Sequence, residues 1–168
     1  MAYMIGQLLG GVAVVLGFLA FQRKTQLGII LFQLAGALTF SAHYFLIDAP
    51  TAVVLNMLSA GICIGFGIRN KQNRTGKAVT VISVLLITIA GILAWESIYS
   101  VFLIAGLAVN VISLSFSNPQ KTRRAMLLKS PLCMIYNIAA TSLGGVVFEC
   151  AVLTSAILGL MKNKEKTE

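Results

Sequence analysis

The fold is decided by an apolar stretch near the end of the chain, SPLCMIYNIAATSLGGVVFECAVLTSAILGLM (residues 130–161), which carries one charge, Glu149. A single helix of this length would extend for about 48 Å, whereas the hydrocarbon core of a membrane is about 30 Å thick. The sequence Thr141-Ser-Leu-Gly-Gly145 at its centre favours a turn. We therefore predict two membrane-spanning helices here, joined as a hairpin.

The composition of the whole chain agrees with a membrane protein. The 168 residues are 58% hydrophobic and 11% charged, and the mean hydropathy is +0.91, which is far from the range of soluble domains. A membrane span takes about 20 residues, so seven short spans fill the chain. The predicted fold is an all-α integral membrane protein with a single transmembrane domain, residues 1–168.

The basic residues predict the orientation of the spans. All thirteen Lys and Arg residues fall in four clusters, at 23–24, 69–77, 121–129 and 162–166, while the isolated acids Asp48 and Glu96 lie between the clusters. Seven spans with the N-terminus outside place every cluster in the cytoplasm and both acids outside, which no even number of spans achieves. Lys129, one turn inside the sixth span, is then expected to snorkel to the cytoplasmic surface. The predicted spans are 4–21, 27–47, 50–68, 78–95, 98–117, 124–141 and 144–161.

Several classes of protein are excluded. No Ser-His-Asp set, HExxH, CxxC or Walker motif is present, and one deep acid with one histidine is too little for an enzyme. The three cysteines, Cys63, Cys133 and Cys150, lack metal-ligand spacing, so we expect no metal and no cofactor. The net charge of +8 reflects the cytoplasmic clusters, so the expected partner is the lipid bilayer and not nucleic acid. Homo-oligomerisation is left open.

The two halves of the chain are similar when they are shifted by 93 residues. We predict that residues 4–68 and 98–161 form two parallel three-helix repeats, and that residues 78–95 form the helix that links them. The register aligns His43-Tyr44 with Tyr136-Asn137, Val53-Val54 with Val146-Val147, and Asn56 with Glu149.

This 3+1+3 layout, N-out and C-in, resembles the MtN3/PQ-loop superfamily, which includes the SWEET sugar transporters. Pro119-Gln120 after the fifth span matches the PQ dipeptide of that superfamily, whereas the first repeat has Phe21-Gln22 instead. The local sequence resembles the bacterial inner membrane protein YgjV family, which implies a multi-pass protein of the bacterial inner membrane and no particular substrate. The residues that carry this second resemblance are Leu9-Gly10, Phe21-Gln22, Gln33, His43, Asn137, Ser142-Leu-Gly-Gly145 and Glu149.

Glu149 is the main candidate for a functional site, because it is the one carboxylate deep in an apolar segment. An ionised carboxylate in hydrocarbon is costly, so it should face a cavity or a partner. The structural alternative is a hydrogen bond to Asn137 or Tyr136. SWEET-type proteins carry an asparagine in the third helix of each repeat that faces the sugar. Asn56 matches that pattern and Glu149 departs from it, which favours a cationic or proton-coupled solute over a neutral sugar.

Further candidates complete the predicted site. His43, Tyr44, Tyr136 and Asn137 could line the same cavity as Asn56 and Glu149, although His43 has a pairing with Asp48 as its alternative. Candidate hinges are Pro119, Gln120 and Pro131, since a proline inside a helix frees a backbone carbonyl. The predicted function is small-solute transport of the SWEET/PQ-loop type, with proton coupling an option. The alternative is a non-transporting inner-membrane scaffold or assembly protein.

The predicted topology can be tested with single cysteines introduced at Ser97 and Asn73. We expect a membrane-impermeant thiol reagent to label the two positions from opposite sides of the membrane, because 97 follows the fourth span and 73 precedes it. Labelling of both positions from the same side would contradict the seven-span arrangement.

Overall fold

The structure is a computed structural model that describes residues 2–71 and 77–162. Within these residues the chain is all-helical and has no β-strand. The described helices are α1 (Ala2–Gln22), α2 (Gln26–Leu46), α3 (Pro50–Lys71), α4 (Lys77–Leu93), α5 (Ser100–Leu114), α6 (Pro119–Ala139) and α7 (Leu143–Lys162).

The start of α6 differs most from the prediction. We predicted a span from residue 124, but the helix begins five residues earlier, at Pro119. The side chain of Asn118 accepts a hydrogen bond from the backbone N–H of Gln120 (2.8 Å), which caps the helix. The N–H of a residue in the first helical position has no acceptor within the helix. Proline, which lacks this N–H, therefore loses no hydrogen bond there.

Four of the described helices have both the length and the hydropathy of a membrane span. α1, α2, α3 and α7 are long and apolar enough to cross a membrane, whereas α4 and α5 are apolar but have 17 and 15 residues. The first turns of α6 carry Lys121, Arg123 and Arg124, which lowers its hydropathy. The helices are thus typical of a membrane protein. That all seven cross the membrane stays a prediction.

Six of the helices pack in a ring. α1 contacts α2 and α7, α2 contacts α3, α6 contacts α5 and α7, and α3 contacts α5 to close the circle. α4 packs against α3 and α5 and contributes nothing to the lining of the central cavity. In this ring α2 and α6 lie opposite each other.

Charges separate to the two ends of the ring. We call the end that carries Arg23, Lys24, Arg69, Lys77, Lys121, Arg123, Arg124 and Lys162 the basic end, and the end that carries Asp48 and Glu96 the acidic end. This separation is the one that the sequence predicts, although which end faces the cytoplasm stays a prediction. Four positions used in the sequence prediction, Asn73, Arg74, Lys164 and Lys166, lie outside the described residues.

A buried arginine connects α6 to the end of α1 at the basic end. Arg123 on α6 is 2% exposed, and its guanidinium donates to the backbone carbonyls of Phe21 (2.9 Å) and Arg23 (2.8 Å) and to Oε1 of Gln120 (2.8 Å). The last carbonyls of a helix have no partner within the helix, and a cation is favourable there. A glycine on α7, Gly159, leaves room, since a Cβ added there would come within 3 Å of the Arg123 side chain. Arg123 therefore caps α1 from across the ring.

A glutamate has the corresponding role at the acidic end. Glu96, in the link between α4 and α5, accepts a hydrogen bond at Oε1 from the backbone N–H of Thr51 (2.8 Å). Its other oxygen, Oε2, accepts one from the hydroxyl of Tyr136 (3.1 Å). Because the first N–H groups of a helix lack partners within the helix, Glu96 stabilises the start of α3 and connects it to α6.

We expect Arg123→Met to lower the thermal midpoint of the purified protein by about 5–10 °C, because several hydrogen bonds to a charged group are lost. Arg124→Met is the matched control, since the neighbouring Arg124 is exposed and its replacement should leave the midpoint nearly unchanged. Differential scanning fluorimetry in detergent measures both. Equal midpoints for the two variants would show that the cap contributes little.

Candidate functional site

The ring encloses a cavity of about 70 Å³ that is lined by α1, α2, α3, α5, α6 and α7. By the same measure one water needs about 10–15 Å³, so several waters or one small solute fit. The apolar wall includes Phe40 and Phe148, whose ring centroids are 4.5 Å apart. The polar and charged lining consists of Gln33, Tyr44, Asn56, Ser59, Asn110, Lys129, Asn137 and Glu149.

An ion pair lies in the wall of this cavity. Nζ of Lys129 on α6 donates to Oε1 of Glu149 on α7, and no other ion pair is found among the side chains of residues 4–70 and 77–162. Lys129 is 6% exposed and Glu149 is 3% exposed. Nζ of Lys129 also lies 5.2 Å from the ring centroid of Phe148, within the range of a cation–π interaction. Glu149 therefore faces the interior of the ring and not lipid.

The expectation that Lys129 snorkels to the cytoplasmic surface is wrong. Because α6 begins at Pro119, Lys129 lies ten residues inside the helix, or about 15 Å from its start. Its charge is too far from the basic end, and the carboxylate of Glu149 supplies a partner within the bundle.

The predicted hydrogen bond from Glu149 to Asn137 or Tyr136 is also wrong. Oδ1 of Asn137 accepts from the hydroxyl of Tyr44 (2.5 Å), and the hydroxyl of Tyr136 donates to Glu96. Both alternative partners are therefore engaged elsewhere.

His43 pairs with backbone and hydroxyl groups, so the predicted pairing with Asp48 is wrong. Its Nδ1 lies 2.7 Å from the carbonyl oxygen of Gly6, and its Nε2 lies 2.8 Å from Oγ of Ser142. Since a carbonyl oxygen only accepts hydrogen bonds, Nδ1 must carry the proton. Oγ of Ser142 also accepts from the backbone N–H of Gly145 (3.0 Å). His43 thus connects α2 to α1 and to the turn between α6 and α7.

The structure brings together four of the six predicted binding residues. Tyr44, Asn56, Asn137 and Glu149 line the cavity, while His43 and Tyr136 are outside its lining. The amide of Asn56 donates to the carbonyl of Ala52 in its own helix (2.8 Å). A role in solute binding stays a prediction for all six.

The predicted hinge residues all belong to α6. Pro119 and Gln120 form its first turn, where Gln120 accepts from Arg123, and Pro131 lies inside the helix two residues after Lys129. In the structure, Pro119 and Gln120 lie near Arg123, and Pro131 lies near the ion pair. Movement about them is still a prediction.

Sequence reasoning gave no role in the site to four polar residues that line the cavity, Gln33, Ser59, Asn110 and Lys129. Lys129 offered a signal, since it follows the apolar run 125–128 and precedes the apolar run 131–135. An intramembrane lysine should prompt a search for an acidic partner, and Glu149 was the one candidate at similar depth. Ser59 offered no such signal, because isolated serines are common in membrane helices.

The chain matches the family model Imp-YgjV, described as a bacterial inner membrane protein, over residues 4–167. The chain belongs to this family. Membership agrees with the apolar helices and supports a location in the bacterial inner membrane. No curated protein and no solved structure gives a significant match to the chain. The family description states a location and no activity.

The ion pair can be tested by a double-mutant cycle with Lys129→Met and Glu149→Gln. Each single change leaves one buried charge unpaired, which should lower the free energy of unfolding by about 3–5 kcal/mol. The double variant leaves no charge unpaired, so it should be more stable than either single variant. Thermal midpoints in detergent measure all four proteins. Additive losses would show that the two side chains do not interact.

Proposed function

We propose that the protein is a small-solute transporter of the SWEET/PQ-loop type and that the solute binds in the central cavity. The observation that carries the proposal is the buried Lys129–Glu149 pair in the wall of a cavity between six helices. Charged groups inside membrane bundles are costly, and they commonly mark pathways for substrates or ions.

The order in which the helices pack supports this type of transporter. Each helix of the first triplet has a counterpart in the second: α5 for α1, α6 for α2 and α7 for α3. The contacting pairs α1–α2, α2–α3 and α1–α7 then correspond to α5–α6, α6–α7 and α5–α3, and these are contacting pairs as well. α4 lies between α3 and α5 and has no counterpart. Such a pattern fits two parallel repeats, 4–68 and 98–161, with 78–95 as the linker.

The hydrogen bond between Tyr44 and Asn137 supports the same repeat. These residues are 93 positions apart, so they are equivalent in the predicted register. Equivalent residues meet each other when they lie beside a two-fold axis. The other equivalent pair, Asn56 and Glu149, lines the same cavity.

Hydrogen bonds connect the two predicted repeats on both sides of the cavity. At the basic end, Thr122 donates to Oε1 of Gln26 (3.0 Å), and Gln26 donates to the carbonyl of Ser113 (3.3 Å). At the acidic end, His43 pairs with Ser142 and Tyr44 with Asn137. Alternating access requires that one set opens while the other stays closed. Each of these neutral hydrogen bonds contributes only about 1 kcal/mol, but opening of the basic end would also have to break the contacts of Arg123 with the end of α1.

A static scaffold is the second candidate. Arg123 and Glu96 hold helix ends together and would serve either function. The cavity separates the two, since helix packing alone requires no cavity with charged groups in its wall. The ion pair by itself fits both functions.

Reconstituted protein tests transport directly. Uptake of glucose, alanine and methylammonium into proteoliposomes covers a sugar, an amino acid and a cation, and an imposed proton gradient tests coupling. We expect uptake of at least one class. Uptake of none, together with no thermal stabilisation by any of them, would favour the scaffold.

Locking one end supplies the mechanistic control. Cysteines at Gln26 and Thr122, in a protein whose native cysteines are replaced, can be bridged by a short bis-methanethiosulfonate reagent, which forms one disulfide bond with each cysteine. We expect bridging to stop uptake and reduction to restore it, because the basic end can no longer open. Each single-cysteine variant, treated identically, should keep its uptake. Full uptake by the bridged protein would contradict alternating access.

A further inference from the structure

We propose that the cavity binds a small zwitterionic α-amino acid of the size of glycine or alanine, whose ammonium group binds Glu149 and whose carboxylate binds Lys129. This ligand class rests on the proposed function, because the cavity is the same one. It differs from the cationic solute that the sequence favours, since Lys129 now lies beside the carboxylate.

Residues that line the cavity carry buried polar atoms that have no hydrogen-bond partner. Oε2 of Glu149, both side-chain atoms Oε1 and Nε2 of Gln33, and Oγ of Ser59 are buried and make no hydrogen bond within the described residues. All three residues line the cavity. Nζ of Lys129 has three donors and, in the part of the chain that is described, one acceptor, Oε1 of Glu149. Buried polar groups in native proteins almost always have partners, so this cluster is suited to a polar ligand.

The unpartnered atoms match the two ends of an amino acid. Oε2 of Glu149 and Oε1 of Gln33 can accept hydrogen bonds from an ammonium group. Nζ of Lys129, Nε2 of Gln33 and Oγ of Ser59 can donate to a carboxylate. The lining of the cavity therefore offers both halves of the recognition, with Lys129 and Glu149 on α6 and α7 and with Gln33 and Ser59 on α2 and α3.

Charge balance selects a zwitterion over ions of one sign. The pair has no net charge, and a buried net charge in a low-dielectric interior is costly. A cation would add a positive charge beside Lys129, and an anion would add a negative charge beside Glu149. A zwitterion keeps the sum at zero and gives each buried charge an additional partner. A neutral sugar would engage Gln33 and Ser59 but would complement neither charge.

The predicted first repeat leaves open space in the cavity, because it has small or neutral residues at the positions that correspond to the ion pair. In the 93-residue register Lys129 corresponds to Gly36, and Glu149 to the neutral Asn56. A Cβ added at Gly36, which lines the cavity, would meet no atom within 4 Å. With a volume of about 70 Å³, the cavity has room for about five to seven non-hydrogen atoms at 10–15 Å³ each. Glycine and alanine fall in that range, and the rings of Phe40 and Phe148 can pack against a methyl group.

Isothermal titration calorimetry on the purified full chain tests the ligand class. We expect glycine and alanine to bind, and ethylamine, propionate and glucose not to bind, because each of the last three lacks one or both charged groups. The double variant Lys129→Met/Glu149→Gln should fold, since no charge is left unpaired. Its affinity for alanine should fall by about tenfold or more for each lost charge partner. Unchanged affinity of the double variant would overturn the proposal.

Two serines provide a matched control. Ser59 and Ser130 are both buried, and neither hydroxyl has a hydrogen-bond partner in the described structure. Ser59 lines the cavity and Ser130 does not. We expect Ser59→Ala to weaken alanine binding severalfold and Ser130→Ala to leave it unchanged. Equal effects of the two changes would contradict recognition in this cavity.

Binding and uptake together separate failure of the ligand class from failure of transport. Alanine binding without alanine uptake into proteoliposomes would keep the ligand class and remove the transport function. Uptake of glucose or methylammonium without alanine or glycine binding would keep transport and overturn the zwitterion. Absence of alanine and glycine binding to the folded protein overturns the ligand class in every case.

Discussion

Two opposite charges that are buried in a helical bundle must stay next to each other, and the contact between Lys129 and Glu149 therefore restricts how α6 and α7 can pack. An unpaired charge in this position costs several kcal/mol, which is comparable to the whole stability of many domains. The turn at residues 140–142 returns the chain so that the two side chains reach the same depth. The pair also fixes one wall of the cavity, against which the remaining ring helices are placed.

Several helix boundaries could be predicted because they carry local sequence signals. The turn between α6 and α7 follows from length alone, since one helix would be too long for the membrane. Pro50 and the charge clusters mark other ends. The start of α6 was misjudged because a basic segment was read as a cytoplasmic loop. Asn118 and Pro119 form a helix start there that the hydropathy of the segment conceals.

The site was less predictable, because its contacts depend on which faces of distant helices meet. Glu149 could be identified from its depth, but its partner could not, since Lys129 was assigned to the surface. His43 and Tyr136 were grouped with Glu149 by register, yet their bonds lie with Gly6, Ser142 and Glu96. Sequence pattern predicts which residues share a helix and a depth. It does not predict the rotation of one helix against another, which decides the hydrogen bonds.

At each end of the bundle, a charged side chain binds the backbone of another helix. At the basic end, Arg123 binds the backbone carbonyls of Phe21 and Arg23 at the end of α1. At the acidic end, Glu96 binds the backbone N–H of Thr51 at the start of α3, and its other oxygen accepts from Tyr136 on α6. α6 takes part at both ends and carries Lys129 between them. A change at the ion pair is therefore connected through one helix to both ends of the cavity.

The bond between Tyr44 and Asn137 has a consequence for the architecture as a whole. If the two positions are related by a two-fold axis, identical subunits would place either two tyrosines or two asparagines there. A hydroxyl that donates to an amide oxygen across the axis requires two different residues. In that two-fold arrangement a homodimer of either predicted repeat would lack this bond. Carrying both repeats in one polypeptide is what would allow the two sides of the cavity to differ.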